Sequence, residues 1–185
     1  PIKFKDLPKH LVDALIATED ERFYEHSGID IRGTIRAMVY LGSKGGASTI
    51  SQQLAKQLFH KEKTRGIARY TQKIKEWIIA TRLEKQYTKE EILTMYFNIY
   101  DFNNNADGIR SAAKIYFDKE PKQLKIEEGA MLVGMFKNSA LYNPVKNKEG
   151  VTNRRNVVLA QMAKNNYLTQ EQKDSLQQLP LKIKY

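Results

Sequence analysis

The chain has 185 residues, 41% hydrophobic and 28% charged, which suits one domain with a buried core and excludes a disordered protein. Its net charge of +10 favours an anionic partner such as nucleic acid, an anionic membrane or a phosphorylated substrate. The absence of cysteine excludes disulfide and thiolate chemistry, and the longest apolar run, residues 130–136, is too short to span a bilayer. Because the chain starts at Pro1 without a signal peptide, we expect a domain excised from a longer protein, and only peripheral membrane association of this part.

The first predicted helix spans residues 6–24 and ends in a cluster of carboxylates. Its apolar residues recur at three- and four-residue steps, and Pro8 suits the first turn after Asp6 as a cap. Three acidic residues, 19–21, follow where the apolar face ends, and two aromatic residues, a histidine and Gly28 come soon after. Taken alone, this stretch is typical of an exposed, charged helix end.

A second amphipathic helix is predicted over residues 31–41, and a glycine-rich loop follows it. Thr49 and Gln52 have the spacing of a capping box at the start of the next helix. A glycine-rich loop before a helix can bind phosphate through backbone N–H groups, but this one lacks the spacing of a Walker loop. From Lys56 to Lys89 the chain is strongly basic, with ten Lys or Arg against three Glu.

The rest of the chain also predicts helices. A long helix over residues 69–87 is expected to turn four apolar side chains inward, namely Ile74, Trp77, Ile78 and Leu83. Thr88 and Glu91 form a second capping box. Further helices are predicted at about residues 109–116, 126–137, 151–166 and 169–177. No segment alternates convincingly as a strand, so the predicted fold is all-α.

Glu76 and the three histidines are further polar residues that could take part in chemistry. Glu76 lies three residues after Lys73, which predicts an ordinary ion pair on one helix face and, alternatively, a carboxylate held beside cations in a cleft. The three histidines, His10, His26 and His60, have no metal-ligand spacing, so a zinc site is excluded.

Five segments, taken in order, resemble the motifs of the peptidoglycan glycosyltransferases of glycosyltransferase family 51. This family comprises the polymerase domains of class A penicillin-binding proteins and the monofunctional transglycosylases. The matching segments are Glu19–Gly28, Gly46–Gln53, Lys73–Glu76, Ile92–Asn98 and Arg154–Leu159. Each segment is a weak signal, but the combination is specific and extends over about residues 5–170.

The chain departs from the family pattern at three places. Ser51 stands where threonine is usual, and Gln72 stands where arginine is usual, which removes one cation from the third motif. Arg69, one turn earlier, is a candidate to replace it. The run after Asn98, residues 99–103, is also altered.

The resemblance implies an all-α, lysozyme-like fold with a larger head lobe and a small membrane-touching jaw. The jaw is expected at about residues 31–70, within a single glycosyltransferase domain over residues 1–185. We expect apolar side chains of the jaw to enter the membrane interface while Lys and Arg contact anionic headgroups. The implied location is the extracytoplasmic face of the bacterial cytoplasmic membrane, with a membrane anchor and a transpeptidase domain as candidate further parts of the whole protein.

The implied reaction joins lipid II units into glycan strands and releases undecaprenyl diphosphate. By its match to the first motif, Glu19 is the expected general base, and Glu76 is the second expected catalytic carboxylate. Glu76 would orient cations or hold a metal. No cofactor is required by the resemblance, although a divalent cation (Mg²⁺ or Mn²⁺) could share the neutralisation of the diphosphate.

The expected substrate-binding residues come from the motifs and from the basic stretch. The candidates that neutralise the diphosphate are Lys56, Arg65, Arg69, Lys73, Lys137 and Arg154. Those that position the substrate are Ser48, Thr49, Gln52 and Gln53. Those that shape the cleft are Asp20, Phe23, His26 and Asn98.

Two other functions stay open at this point. A lysozyme-like hydrolase or lytic transglycosylase would use one glutamic acid on an uncharged glycosidic bond, which does not call for a basic helix beside it. A basic helical module that binds nucleic acid would suit the net charge but leaves the carboxylates at residues 19–21 unexplained. We therefore expect lipid II, the glycan strand and an anionic membrane as partners, and no nucleic acid.

Overall fold

The structure, a computed structural model, describes residues 1–39, 48–59 and 67–185, apart from the side chains of Met38 and Ile67. These residues form nine α-helices: α1 (Lys9–Glu19), α2 (Ile31–Val39), α3 (Ile50–Phe59), α4 (Ile67–Gln86), α5 (Lys89–Ile99), α6 (Gly108–Phe117), α7 (Ile126–Met135), α8 (Lys148–Lys164) and α9 (Gln170–Gln178). Short 3₁₀ helices occupy Phe4–Asp6, Phe23–Glu25 and Pro121–Gln123. Extended pairing over the described residues is limited to one isolated bridge between Asp101 and Asp107, so the all-α prediction is confirmed.

The first helix is shorter than predicted. It starts after Pro8, which is its N-cap, rather than at Asp6, because proline fits only the beginning of a helix. It ends at Glu19 because Asp20 leaves the helical conformation, with φ −159° and ψ 75°. The two ends of the predicted span fall in separate 3₁₀ turns, Phe4–Asp6 and Phe23–Glu25.

The first of two compact units comprises residues 1–21 and 97–185. Its centre is α7, which packs against α1 and α8 and is buried from Gly129 to Met135. Leu11 and Leu15 of α1 and Val158 of α8 are fully buried in this core. Because α7 is covered on all sides, its sequence is almost continuously apolar rather than amphipathic.

The second compact unit comprises residues 22–96, in which α3 packs on α4. It contains the predicted jaw over residues 31–70, although residues 40–47 and 60–66 of that span lie outside the described residues. The jaw and the single domain over residues 1–185 stay predictions. No helix among the described residues is long and apolar enough to cross a membrane.

The prediction of the inward face of α4 was wrong at two positions. Ile74 and Ile78 are 54% and 49% exposed. The buried face instead carries Gln72, Glu76 and Ala80, which recur at four-residue steps. Because two of these residues are polar, the apolar pattern indicated the wrong face over the first half of the helix.

We expect the stability of the domain to fall as the pH drops below the ordinary histidine range, because of His10 on α1. Burial, the largest cause, lowers the pKa of His10 below its ordinary value of 6.5 and outweighs a backbone contact with Leu124 that acts in the opposite direction. Its Nε2 atom is buried without a hydrogen-bond partner among the described residues. The unfolded chain therefore takes up the proton first, and folding loses free energy between the unfolded and the folded pKa.

Urea unfolding of the parent and of His10→Leu between pH 8 and pH 5 checks this prediction. The parent should lose stability as the pH falls, and the variant should lose less. Equal slopes for the two proteins would mean that other groups cause the pH dependence.

Candidate active site

The predicted site residues belong to both compact units. The first unit holds Glu19, Asp20, Asn98, Lys137 and Arg154. The second unit holds Phe23, His26, Ser48, Thr49, Gln52, Gln53, Lys56, Arg69, Lys73 and Glu76. Arg65 lies outside the described residues.

In the first unit, the carboxylate of Glu19 faces the guanidinium of Arg154. Glu19 is the last residue of α1, Arg154 lies on α8, and Oε1 and Nη2 are 3.5 Å apart. Both side chains are mostly buried, with exposed fractions of 14% for Glu19 and 12% for Arg154. Because burying either charge alone is costly, each offsets the desolvation of the other. The structure thus brings together residues from the first and fifth motifs.

Two further contacts fix the Arg154 side chain. Its Nε donates a hydrogen bond to the carbonyl oxygen of Gly134 at 3.3 Å, and its guanidinium lies 5.9 Å from the ring centre of Tyr142. Tyr100 interacts electrostatically with Glu19. Burial raises the pKa of Tyr100 to about 12, and the negative charge of Glu19 contributes to that rise. Tyr100 therefore stays a neutral phenol, and its hydroxyl donates to the Met135 carbonyl at 2.6 Å.

The other predicted residues of this unit differ in exposure. Asp20 is buried, whereas Lys137 is exposed to solvent. The amide of Asn98 accepts from the Ile2 N–H at 2.9 Å and donates to the Ile2 carbonyl at 3.0 Å. Asn98 thus holds the N-terminal segment through both polar groups of the Ile2 backbone, and its role toward a substrate stays a prediction.

In the second unit, Glu76 lies at the centre of a polar cluster on α4. Its carboxylate accepts from Gln72 Nε2 at 3.3 Å and from Lys73 Nζ at 3.2 Å. Lys73 Nζ also donates to Ser48 Oγ at 2.7 Å. Glu76 is buried, whereas the Lys73 side chain is 37% exposed, so the cluster presents a held ammonium group to solvent. Gln72, which replaces the usual arginine, contributes a neutral donor here.

The residues around Glu76 do not fit a resident divalent cation. Both oxygens of its carboxylate already accept hydrogen bonds, and one of the two donors is an ammonium ion that would repel a cation. Within residues 1–39, 48–59 and 67–185, no group of three or more His, Cys, Asp or Glu is placed to hold a metal. Magnesium ions usually need more oxygen ligands than one such carboxylate offers.

The second motif binds the loop at the end of the first motif. Thr49 Oγ1 and Gln52 Nε2 both donate to the carbonyl oxygen of Gly28, at 2.7 Å and 3.2 Å, and both side chains are buried. Thr49 Oγ1 also accepts from the Gln52 N–H at 3.1 Å, which is the first bond of the predicted capping box. The reciprocal bond does not form, because Gln52 Oε1 is buried without a hydrogen-bond partner among the described residues. These two residues therefore support the loop, and their contact with substrate stays a prediction.

A mostly buried ion pair, which was not predicted from the sequence, holds the other side of this loop. Lys89 Nζ contacts Glu84 Oε1 at 2.8 Å, donates to the His26 carbonyl at 2.7 Å and lies 4.2 Å from the ring centre of Phe23. Glu84 also accepts from Ser51 Oγ at 2.5 Å. Glu84 lies on α4 and Lys89 lies on α5, so the pair joins two helices. The three- and four-residue spacing of pairs within one helix therefore could not indicate it.

The remaining candidates of this unit differ in how they are held. Gln53 Oε1 accepts from the hydroxyl of Tyr96 at 2.7 Å, which joins the second and fourth motifs. Lys56 and Arg69 are exposed to solvent. Both side chains can therefore reach an anionic ligand in solvent, and their part in binding the diphosphate stays a prediction.

Gly28→Ala is expected to destabilise the domain by at least about 2 kcal/mol. Gly28 has φ +95°, a conformation that favours glycine, and a Cβ there would lie 2.8 Å from the backbone carbon of Ala80. Backbone atoms of α4 cannot move aside as a flexible side chain can. Thermal unfolding checks the prediction with Gly129→Ala as the control, since a Cβ at residue 129 meets its nearest atoms at 3.4 Å. An unchanged melting temperature for Gly28→Ala would contradict it.

Comparison with known proteins identifies the family. The sequence matches the transglycosylase family over residues 1–163. Penicillin-binding protein 1A of Escherichia coli (strain K12) is 41% identical over 179 residues, which cover 94% of this chain and 20% of that protein. Penicillin-binding protein 1A of Vibrio cholerae is 39% identical over 189 residues, which cover all of this chain and 22% of that protein.

A solved structure supports the fold. The crystal structure of penicillin-binding protein 1A from Haemophilus influenzae superposes with a TM-score of 0.59 at 22% identity, covering 99% of this chain and 18% of that one. The chain thus spans about a fifth of the length of the relatives it matches. The predicted fold class is confirmed, and the chain belongs to the transglycosylase family.

Proposed function

We propose that this domain is a peptidoglycan glycosyltransferase that polymerises lipid II into glycan strands. The observation that carries the proposal is the Glu19 carboxylate, held mostly buried against Arg154. Family membership and the penicillin-binding relatives support the same reaction class.

In the proposed reaction, the 4-hydroxyl of the acceptor GlcNAc attacks C1 of the donor MurNAc. The new C1–O bond forms as the bond to the lipid diphosphate breaks, and the configuration at C1 inverts. A sugar hydroxyl is a poor nucleophile, so Glu19 accepts its proton during the attack, a contribution of about 10²–10⁴-fold. Arg154 orients the carboxylate for this step.

The leaving diphosphate needs its charge neutralised more than it needs a proton. Lys73 is the strongest candidate for this part, because Ser48 and Glu76 hold its ammonium group while more than a third of the side chain stays exposed. Glu76 thus acts by orienting Lys73. Further cations that could contact the diphosphate are Lys56, Arg65, Arg69 and Lys137.

We also propose that α2 lies on an anionic membrane at the extracytoplasmic face. Ile31, Ile35 and Val39 recur at four-residue steps on one face and are all exposed. Arg32 adds a positive charge on the same helix. This arrangement suits a helix that places its apolar face in the interface near anionic headgroups. A transpeptidase domain in the whole protein is part of the same proposal, because this chain spans about a fifth of penicillin-binding relatives.

The two alternative functions are less well supported. A hydrolase would use one glutamic acid on an uncharged glycosidic bond, and that reaction does not call for the ammonium group of Lys73 that Ser48 and Glu76 hold toward solvent. A nucleic-acid-binding function would not explain the Glu19–Arg154 pair, so we propose no nucleic-acid partner.

Incubation of the domain with lipid II in detergent tests the proposal. Glycan strands resolved by gel electrophoresis are the expected product. A parallel reaction supplies preformed glycan instead of lipid II. Cleavage of that glycan, without polymerisation of lipid II, would overturn the proposal in favour of a hydrolase.

A further inference from the structure

Gly134 lies in the last turn of α7, a helix that is buried at this position. Its backbone is ordinary right-handed helix, unlike that of Gly28 and Gly108, which have positive φ. Glycine within a helix is less favourable than alanine. The backbone conformation does not require glycine here, so its reason must lie in the packing.

The Arg154 side chain occupies the space that a side chain at residue 134 would need. A Cβ there would lie 3.0 Å from Arg154 Cγ and 3.7 Å from Arg154 Cβ, and the first distance is shorter than ordinary packing allows. The Gly134 carbonyl oxygen also accepts the hydrogen bond from Arg154 Nε at 3.3 Å. Gly134 therefore both makes room for the stem of Arg154 and holds its guanidinium.

The guanidinium then reaches the candidate base. Arg154 Nη2 lies 3.5 Å from Glu19 Oε1, at the long end of the range for a hydrogen bond. A displacement of a few tenths of an ångström at Cγ is enlarged toward the end of the long side chain. We expect such a shift to lengthen this contact beyond hydrogen-bond range.

We infer that Gly134 is a positioning residue for Glu19, because its missing side chain and its carbonyl group set where Arg154 meets the carboxylate. The expected effect of Gly134 on activity rests on the proposed function. The competing explanation is that Gly134 serves only the packing of α7 against α8.

The first test compares Gly134→Ala with Gly129→Ala on the same helix. A Cβ at residue 129 would lie 3.4 Å from the side chains of His10 and Leu11, which is an ordinary contact. Both substitutions replace a helical glycine by alanine, so they bring the same gain in helix propensity. Gly134→Ala is expected to lower kcat for lipid II polymerisation by about 10-fold or more, since misplaced catalytic groups are costly, with KM changed less than two-fold. Gly129→Ala should keep the parent rate. Equal rates for the two variants would overturn the inference.

A double-mutant cycle separates positioning from packing. In an Arg154→Ala background, Gly134→Ala should change kcat by less than about two-fold, because the residue through which it acts is gone. A loss of the same size in both backgrounds would show that Gly134 supports the fold alone.

Urea unfolding provides a test that needs no activity. In the parent, Glu19→Gln and Arg154→Ala should shift the unfolding midpoint non-additively, since the two side chains contact each other. With Gly134→Ala also present, the two shifts should add. Persistent coupling would overturn the inference. If the parent fails to polymerise lipid II, the proposed function fails, and this cycle still decides the role of Gly134.

Discussion

Glu19→Gln is expected to lower the rate of lipid II polymerisation by about 10²–10⁴-fold while the domain stays folded. Glutamine has the shape of glutamate but cannot accept the proton of the attacking hydroxyl. It also leaves the guanidinium of Arg154 without its counter-charge in a mostly buried place, so the unfolding temperature should fall somewhat. Initial rates at saturating lipid II, corrected for the folded fraction by circular dichroism, measure the effect.

Glu21→Gln is the matched control for this prediction. Glu21 lies two residues further along the chain and pairs with the exposed Lys164 at 3.4 Å, so the control also removes one carboxylate from an ion pair. We expect it to retain the parent rate within about two-fold, because exposed pairs contribute little. Polymerisation by Glu19→Gln at the parent rate would exclude Glu19 as the base and make Glu76 the next candidate.

The helices could be predicted because their signals are local. The Thr88–Glu91 capping box forms as expected: the Glu91 carboxylate accepts from the Thr88 N–H at 2.8 Å, and the Glu91 N–H donates to Thr88 Oγ1 at 3.2 Å. The predicted ion pair between Lys73 and Glu76 is also present. Each of these features joins residues three apart, so spacing alone was sufficient.

The details of the site could not be predicted in the same way. The Glu19–Arg154 contact joins residues 135 positions apart, and only the resemblance to a family placed both in one site. The buried face of α4 carries Gln72 and Glu76, so hydrophobic periodicity pointed to Ile74 and Ile78 instead. A buried polar cluster breaks the hydrophobic pattern from which the core face of a helix is predicted.

The same limit explains the outcome for Thr49 and Gln52. Their polar side chains suggested groups that would contact a sugar or a phosphate, but the sequence could not show that the Gly28 carbonyl would lie within their reach. A backbone acceptor in a distant loop leaves no signal in the residues that bind it.

Lys73→Met is expected to lower polymerisation by about 10²–10³-fold, because it removes the cation proposed to meet the charge of the leaving diphosphate. Methionine keeps an unbranched apolar stem, so packing on α4 should change little. The loss should appear mainly in kcat, since the charge on the diphosphate grows as the bond to C1 breaks. Steady-state rates over a range of lipid II concentrations measure kcat and KM separately.

Lys75→Met is the control for charge. Lys75 lies on the same helix, two residues from Lys73, and is exposed to solvent, so this variant has the same net charge and the same apolar replacement. If attraction between the basic surface and the anionic substrate were the whole effect, the two variants would lose activity equally and the loss would disappear at high salt. A loss confined to Lys73→Met and independent of salt requires the ammonium group that Ser48 and Glu76 hold in place.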